Sequence, residues 1–262
     1  MTIRALVRAV PASFVDALCA SRPVESGGLG GRTAPQIDVA LARSQHAAYT
    51  AALRACGVAV ELLPADDACP DCVFVEDTAV VVGDVALVTR PGAPSRRAET
   101  TAIAAALACH VRVVAMSDPA TLDGGDVMRL GTTLYVGRSA RTNAAGIAEL
   151  AAAFPALRVV ALDLPPGVLH LKCICSPLGD DRVLVAEDTL EFPSVDVVQV
   201  PSAETYAANA VAIHGHVVVA DGFPRTHEAL AARGLVIHPV PVSEVRKADG
   251  SLTCQSIVFA TP

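Results

Sequence analysis

The sequence contains no tryptophan, three tyrosines and six phenylalanines, and only 18% of its 262 residues are charged. The formal net charge is −7, so the chain has no basic surplus with which to displace counterions from nucleic acid. No apolar run reaches the roughly 18 residues of a membrane-spanning helix. We therefore expect neither nucleic acid nor membrane as a partner. An acidic protein can still hold a cationic small molecule in a cleft.

The residues at the start of the chain, Met1–Arg8, lack the apolar core and the cleavage site of a signal peptide. We therefore expect a cytoplasmic protein whose eight cysteines are reduced thiols. A hydrophobic fraction of 52% allows a large core, and no segment has the composition of a linker. Residues 1–262 are expected to form a single domain.

A weak internal repeat runs along the chain at a spacing of roughly 40 to 50 residues, which is typical of propeller-like arrays. Each unit predicts two strands joined by a tight turn, then a polar loop that often contains a helix, and a third strand. The clearest unit has strands Ala79–Val82, Val85–Val88 and Val111–Ala115, and a helix over about Ser95–Cys109 with Ser95 as N-cap. The second unit predicts strands Val127–Leu130, Leu134–Val136 and Arg158–Leu162, with a helix over Thr142–Phe154. The third unit predicts strands Leu171–Ser176 and Val183–Ala186. The fourth unit predicts strands Ala210–Ile213, Val217–Ala220 and Leu235–Val240, with a helix that begins at Arg225 and ends at Gly234.

The fifth unit is split between the two ends of the chain. Gln255–Ala260 and the N-terminal strand would share it, together with a helix over about Gln36–Cys56. One unit is too small to bury its own apolar face, so we expect the five units to close into a ring. Polar residues recur just before or on the first strand of successive units, and these would converge near the axis of the ring: Asp77, Asp126, His170, Asn209 and Cys254.

Cys254, which precedes the last predicted strand, is the candidate nucleophile. A thiolate is a strong nucleophile, and the imidazole of His170 can supply the acid and base steps. A guanidinium carbon is a poor electrophile, so an enzyme attacking it needs carboxylates that grip the N–H groups above the sulfur. Such acids are present at Asp71, Glu76, Asp77, Asp123 and Asp126. This combination favours a thiolate that acts on a cationic substrate.

Other motifs allow different interpretations. Cys69-Pro70-Asp71-Cys72 is a C-x-x-C, but it does not begin a helix after a βαβ strand, and no second C-x-x-C follows. Cys173-x-Cys175 and His214-x-His216 each predict two side chains on one strand face, which could bind zinc if the two strands paired. A thiol- or zinc-binding protein without enzymatic activity is therefore the remote alternative. Gly27–Gly31 lacks the Lys-Ser/Thr ending of a phosphate-binding loop, and we predict a lid over the site instead.

Several stretches together resemble one family. In chain order they are Leu62–Asp66, Pro70–Asp77, Thr89–Arg97, Asp123–Val127, Gly137–Asn143, Leu169–Lys172, Tyr206–Asn209 and Asp249–Cys254. They are similar, over nearly the whole chain, to the dimethylarginine dimethylaminohydrolases (dimethylargininases) of the guanidine-modifying superfamily, which includes arginine deiminases and amidinotransferases. The resemblance implies a five-fold pseudosymmetric α/β propeller, the pentein fold, built from ββαβ-type repeats. This agrees with the repeat pattern.

The resemblance also implies the roles of individual residues. Cys254 would form a covalent thiouronium adduct with the guanidino carbon, His170 would protonate the leaving amine and then activate water, and Asp123 would orient His170. The implied substrate-binding residues are Asp77 with Glu76 as the guanidinium clamp, Arg96 and Arg141 at the α-carboxylate, Asp71 with the backbone carbonyls of Leu18 and Ala248 at the α-amino group, and Phe74 along the substrate chain. Arg97 is expected at the surface, and Asp126 serves packing or hydrogen bonding as readily as chemistry.

The implied reaction is hydrolysis of Nω,Nω-dimethyl-L-arginine, and of Nω-methyl-L-arginine, to L-citrulline and dimethylamine or methylamine, with no metal or organic cofactor. Arginine deimination, or hydrolysis of another Nω-substituted arginine, is the alternative on the same scaffold. The chain lacks the helical insertion of typical arginine deiminases, which favours the dimethylarginine branch. The sequence leaves open the oligomeric state, a homodimer included. It also leaves open whether Cys254 rests as a thiol or is ionised beside a protonated His170.

Overall fold

The computed structural model describes residues 1–19, 36–179 and 181–261. Within these ranges the strands form five sheets of three strands each. In every sheet the middle strand pairs antiparallel with one neighbour and parallel with the other. The strands are β1 (Thr2–Arg8) and β2 (Ala59–Leu63), which share a sheet with the last strand; β3 (Ala79–Val82), β4 (Val85–Val88) and β5 (Arg112–Ala115); β6 (Val127–Leu130), β7 (Thr133–Arg138) and β8 (Arg158–Asp163); β9 (Cys175–Pro177), β10 (Arg182–Ala186) and β11 (Asp196–Val200); β12 (Val211–Ile213), β13 (His216–Ala220) and β14 (Val236–Val240); and β15 (Ile257–Thr261).

The α-helices lie mainly in the connections between the parallel strands of a sheet. They are α1 (Val39–Ala55), α2 (Thr100–Leu107), α3 (Ala144–Ala153), α4 (Pro224–Ala231) and α5 (Ser243–Arg246). Asp38 begins α1 by accepting a hydrogen bond from the N–H of Leu41, and Asn143 begins α3 in the same way. The described residues between β10 and β11 contain no helix.

A short 3-10 helix stands directly, or nearly so, before the strand that opens each sheet. These helices are Val75–Thr78, Gly124–Asp126, Leu171–Cys173, Ser202–Ala208 and Thr253–Gln255. They contact one another in succession around the axis of the ring. Side chains from five distant parts of the sequence are therefore brought to one end of the axis.

Pairing between the two ends of the chain closes the ring. β15 runs antiparallel to β1, with Thr2 opposite Thr261 and Leu6 opposite Ile257. The prediction that the termini share one unit is therefore confirmed, as is the prediction of five repeated α/β units. The closure leaves β1 between β15 and β2, which is the same position that the middle strand has in the other four sheets.

Some predicted elements differ from the structure. Ser95 is not an N-cap, because Pro94–Glu99 forms a 3-10 helix and α2 begins only at Thr100. The predicted strand Leu171–Ser176 is a 3-10 helix followed by β9, since the N–H of Leu171 donates to Asp126 rather than to a neighbouring strand. Strands β2 and β11 and helix α5 were not predicted.

The largest apolar cluster lies under α1, between this helix and the sheets of β1 and β13. Tyr49 and Leu53 of α1 pack there with Val7 and Val218, and each of these residues is at most 1% exposed. Burying such a side chain contributes about 1.5–3 kcal/mol. Among the described residues, no helix is long and apolar enough to cross a membrane.

Candidate active site

Cys254 lines a cavity of about 180 Å³ at the end of the axis where the 3-10 helices meet. Asp77 belongs to the 3-10 helix Val75–Thr78, Cys254 to Thr253–Gln255, and His170 directly precedes Leu171–Cys173. The structure thus brings together residues up to 177 positions apart (254 − 77). The predicted site residues that line this cavity are Leu18, Asp71, Phe74, Asp77, Arg96, Arg141, His170, Ala248 and Cys254.

His170 is held by a fully buried carboxylate. Its Nε2 lies 3.0 Å from Oδ2 of Asp123, whose other oxygen accepts the N–H of Gly92. Burial lowers the pKa of His170, but the charge of Asp77, the hydrogen bond with Asp123 and the charge of Asp126 outweigh it and raise this pKa to about 9. The imidazole is therefore protonated at neutral pH and can act as a proton donor.

Asp77 stays ionised in a buried position. Its Oδ1 accepts the N–H of Gly125 at 2.9 Å, and its Oδ2 accepts from Nη1 of Arg96 at 2.5 Å. Burial alone would raise the pKa of this carboxyl, but His170 and Arg96 lower it to about 2. A Cβ at position 125 would lie 2.8 Å from Asp77 Oδ1 and 2.9 Å from His170 Nδ1, so only glycine fits between them.

Cys254 is partly exposed to the cavity. Burial of its thiol, together with the negative charges of Glu76 and Asp77, raises the pKa of Cys254 well above its usual value. The side chain therefore rests as a thiol at neutral pH, beside a protonated His170. A guanidinium placed against Asp77 would oppose these negative charges and so favour the thiolate.

The two arginines of the cavity are not equivalent. The guanidinium of Arg96 donates through Nε and Nη2 to Glu99, through Nη2 to the carbonyl of Phe74 and through Nη1 to Asp77. Because a guanidinium has five N–H groups, four of which these acceptors occupy, one Nη1 hydrogen is left for a ligand. Arg141 is more open: its side chain is 22% exposed, and its Nη1 lies 3.8 Å from Asp123.

The other end of the cavity carries Asp71 and an aromatic wall. Asp71 accepts the backbone N–H of Leu18 at 3.0 Å, and burial raises the pKa of its carboxyl. Phe74 packs edge to face on Phe14, with ring centroids 5.7 Å apart. The carbonyls of Leu18 and Ala248 were predicted to bind an α-amino group, and both residues line the cavity beside Asp71.

Glu76 is placed differently from its predicted role in the guanidinium clamp. It accepts hydrogen bonds from Nζ of Lys172 at 2.5 Å and from Oγ1 of Thr253 at 2.8 Å. Among the described residues it lines a second cavity of about 210 Å³ between the inner strands, and it does not line that of Cys254. Consecutive residues of a 3-10 helix point about 120° apart, so Glu76 and Asp77 face different cavities.

Three residues around Glu76 were not assigned a role from the sequence: Lys172, Thr253 and Asn209. The amide of Asn209 donates to the carbonyl of Lys172 and to Thr253 Oγ1, and it accepts the N–H of Thr253. This holds the backbone directly before Cys254. The position of Asn209 in the repeat was the only signal for it in the sequence.

Asp126 and Arg97 serve the surrounding structure. Asp126 is fully buried and accepts hydrogen bonds from Ser139, Thr142 and the N–H of Leu171, which fixes the chain beside His170. Arg97 donates to the carbonyl of Pro91 and does not line the cavity among the residues that the structure describes.

The Cys173-x-Cys175 and His214-x-His216 pairs, which gave the zinc-binding alternative, do not have the predicted strand geometry. Cys173 ends a 3-10 helix while Cys175 begins β9, and His214 lies in the turn before β13, which His216 begins. Neither pair therefore shares one face of a strand, and this prediction was wrong. Asp77, Asp123 and His170 have ligand atoms within 4.8 Å of one another, but the raised pKa of His170 opposes metal binding there, because a ligating imidazole must be neutral. The predicted lid at Gly27–Gly31 lies outside the described residues.

Comparisons with known proteins agree with this geometry. A family model described as "N,N dimethylarginine dimethylhydrolase, eukaryotic" matches residues 32–202. The chain is 44% identical to the N(G),N(G)-dimethylarginine dimethylaminohydrolase of Streptomyces coelicolor, over 85% of this chain and 87% of the relative. It is 38% identical to the enzyme of the same name from Pseudomonas aeruginosa, over 85% of this chain and 90% of the relative.

Solved structures show the same relationship. A Cys-to-Ser mutant of the Pseudomonas aeruginosa enzyme in complex with citrulline superposes with a TM-score of 0.89 at 35% identity, covering 99% of this chain and all of the other. The N-terminal domain of ArgZ, an arginine dihydrolase from cyanobacteria, is 20% identical and shares the fold, with a TM-score of 0.86 and coverage of 100% and 99% of the two chains. On this evidence the chain belongs to the dimethylarginine dimethylaminohydrolase family.

Proposed function

We propose that this chain hydrolyses Nω,Nω-dimethyl-L-arginine and Nω-methyl-L-arginine to L-citrulline and dimethylamine or methylamine. The observation that carries the proposal is the convergence of the Cys254 thiol, the protonated His170 and the ionised Asp77 in one cavity. The names of the two bacterial relatives and the citrulline in the Pseudomonas aeruginosa structure support it.

The charges of the cavity match the two ends of such a substrate. Asp77 would accept N–H groups of the guanidinium, and Arg141 would bind the α-carboxylate, a bidentate role that suits arginine. Arg96 would contribute one N–H at most and would mainly neutralise Asp77 and Glu99. Asp71 with the carbonyls of Leu18 and Ala248 would hold the α-amino group.

In the first step Cys254 would lose its proton to solvent, because His170 already carries a proton, and would form a C–S bond to the guanidino carbon. The bound cation favours this ionisation because it opposes the charges of Glu76 and Asp77, which raise the pKa of the thiol. His170 would then give its proton to the departing dimethylamine as the C–N bond breaks. The product of this step is a thiouronium adduct on Cys254.

In the second step the neutral His170 would take a proton from water, and the resulting hydroxide would attack the adduct. As this species collapses, the C–S bond breaks and the proton of the added hydroxyl passes to the sulfur. This releases citrulline and returns Cys254 to a thiol, while His170 keeps the proton that it took from water. Asp123 would hold the ring through Nε2 during both proton transfers.

The proposal is tested by citrulline release from asymmetric dimethylarginine, monomethylarginine, arginine and agmatine, measured side by side on purified protein. Preference for the two methylated substrates is expected. Preference for arginine would instead assign the deiminase reaction to the same residues. A lack of citrulline from all four substrates would refute the proposal.

Two further expectations belong to this proposal. A homodimer is tested by the mass of the protein in solution, measured by light scattering over a range of concentrations. A cytoplasmic location, with its cysteines reduced, is tested by fractionating the cells that express the protein.

A further inference from the structure

A second group of nucleophilic side chains lies away from the cavity of Cys254. Cys56 caps the C-terminal end of α1, His216 begins β13, and His238 lies within β14. One ligand atom from each of these three residues lies within 4.8 Å of the other two. The proposed mechanism uses none of them.

The strand register explains why the two histidines face the same way. β13 and β14 run parallel, with His216 opposite Val236 and Val218 opposite His238. Residues two apart on a strand share a face, so both imidazoles project to one side of this sheet, where the end of α1 supplies Cys56. Nδ1 of His216 lies 2.9 Å from Nε2 of His238.

This arrangement matches a transition-metal site in donor type, and the distance between the two imidazole nitrogens is close to that in such a site. Zinc binds imidazole nitrogen at about 2.0–2.1 Å and thiolate sulfur at about 2.3 Å, usually with tetrahedral angles. Those values require about 3.3 Å between two ligating nitrogens, so the two rings need to separate by only about 0.4 Å. Soft thiolate combined with imidazole favours zinc over magnesium or calcium.

From this geometry we infer that Cys56, His216 and His238 bind one zinc ion, with water as the fourth ligand. Binding replaces the hydrogen bond between the two imidazoles. The S–H bond of Cys56 breaks as the Zn–S bond forms, and its proton passes to solvent. Cys56 is buried, but both histidines are only half-buried, and their exposed side leaves the ion a route from solvent.

The site would join the end of α1 to the sheet of β13 and β14. The same helix carries Tyr49, whose hydroxyl lies 2.7 Å from Oγ of Ser256, two residues after Cys254. The turn beside His216 is at the opposite end of β12 from Asn209, so the ion lies away from the catalytic cavity. Zinc is therefore expected to stabilise the fold without entering the reaction.

The test uses the Cys254→Ser protein, in which the nucleophilic thiol of the catalytic cavity can no longer compete for the ion. Zinc is titrated in competition with a chromophoric chelator, and the zinc complex is examined by X-ray absorption. One equivalent is expected, with one sulfur at about 2.3 Å and two imidazole nitrogens at about 2.0 Å. A first shell of nitrogen and oxygen alone would overturn the inference without any further variant.

Ligand variants in the same background assign the site. His216→Gln, His238→Gln and Cys56→Ser are each expected to weaken zinc binding at least about 100-fold. The matched control is His214→Asn, which removes an exposed imidazole of the same turn while asparagine tolerates the left-handed backbone at φ 47°. Unchanged affinity in His238→Gln, in a protein whose circular dichroism spectrum is native, would refute the assignment.

Thermal unfolding gives an independent readout. Zinc should raise the melting temperature of the parent and of His214→Asn, because an ion that binds only the folded state stabilises it. It should leave the melting temperature of His216→Gln unchanged. Equal shifts in all of these proteins would contradict binding at this cluster. The zinc measurements do not depend on citrulline release, which is assayed separately on the wild-type protein. The zinc inference and the proposed function can therefore fail independently.

Discussion

The hydroxyl of Thr253 donates to Oε2 of Glu76 across 2.8 Å, directly beside Cys254 in the chain. The backbone N–H of Thr253 is held at the same time by the side-chain oxygen of Asn209 at 2.9 Å. Glu76 is itself paired with Lys172, whose Nζ is 2.5 Å away. The thiol that we assign as nucleophile is therefore positioned by a buried polar network on the side away from the substrate.

Thr253→Val removes the hydroxyl of this network while keeping the shape of the side chain. Because Glu76 and Asn209 each lose a buried partner, the unfolding free energy should fall by about 1–3 kcal/mol. A shifted Cys254 should lower kcat by about 10- to 100-fold with little change in KM. Urea unfolding and steady-state citrulline release measure the two effects. Thr253→Ser, which keeps the hydroxyl, is the control and should behave like the parent; a Val variant with normal kcat would show that the network does not position the thiol.

Cys254→Ser tests the nucleophile itself. Serine is close in size but its hydroxyl is a far weaker nucleophile than a thiolate, so turnover should be abolished while the cavity keeps its charges. Calorimetric titration with asymmetric dimethylarginine should still detect binding to the variant. Cys173→Ser is a matched control, because this thiol also lies close to the site and plays no part in the proposed steps. Citrulline release by Cys254→Ser at a near-normal rate would exclude the assignment.

Arg141→Ala tests whether Arg141, rather than Arg96, is the main residue that binds the α-carboxylate. Removing a charged hydrogen-bond donor from the α-carboxylate costs about 1.5–3 kcal/mol, which corresponds to about 10- to 100-fold in KM. The effect on kcat should be much smaller, because this end of the substrate does not react. Arg97→Ala, outside the cavity, is the control. A larger fall in kcat than rise in KM would mean that Arg141 acts on the reacting centre.

The ring of five units was predictable because each unit repeats the same order of strands and turns, and because one unit cannot bury its apolar face. Convergence of Asp77, His170 and Cys254 followed from their equivalent positions in that repeat. The conformation just before each strand was less predictable: Leu171–Cys173 is apolar enough for a strand, but the buried carboxylate of Asp126 takes the N–H of Leu171. Such a contact between distant residues leaves no local signal.

The direction in which individual side chains point could not be predicted from the sequence either. Glu76 and Asp77 are adjacent acids in the same short helix, yet Glu76 faces Lys172 and Asp77 faces the cavity. Arg96 and Arg141 were both predicted to bind the α-carboxylate, but Glu99 and Asp77 occupy most of the guanidinium of Arg96. Cys56, His216 and His238 are separated by up to 182 positions (238 − 56), and no motif connects them.

The raised pKa of His170 makes a prediction about stability. In an unfolded chain a histidine titrates near pH 6.5, whereas His170 in the folded protein titrates at about 9. The folded state therefore holds this proton more tightly, so the stabilisation is fully present below about pH 6.5 and is lost as the pH rises to about 9. A shift of this size corresponds to about 3 kcal/mol.

His170→Asn should remove that dependence. The unfolding free energy of the parent should fall by about 3 kcal/mol more between pH 6 and pH 9 than that of the variant, as measured by urea unfolding at several pH values. Because both proteins contain the same cysteines and other groups that titrate in this range, the contributions of those groups cancel when the two pH dependences are subtracted. The control is His227→Asn, which removes a histidine that hydrogen-bonds the carbonyl of Ala220 and lies outside the cavity, and it should leave the pH dependence of the parent in place. If the unfolding free energies of the parent and His170→Asn changed with pH in parallel, Asp77 and Asp123 would not hold a proton on His170. The imidazole would then have to take up its proton only after the substrate binds.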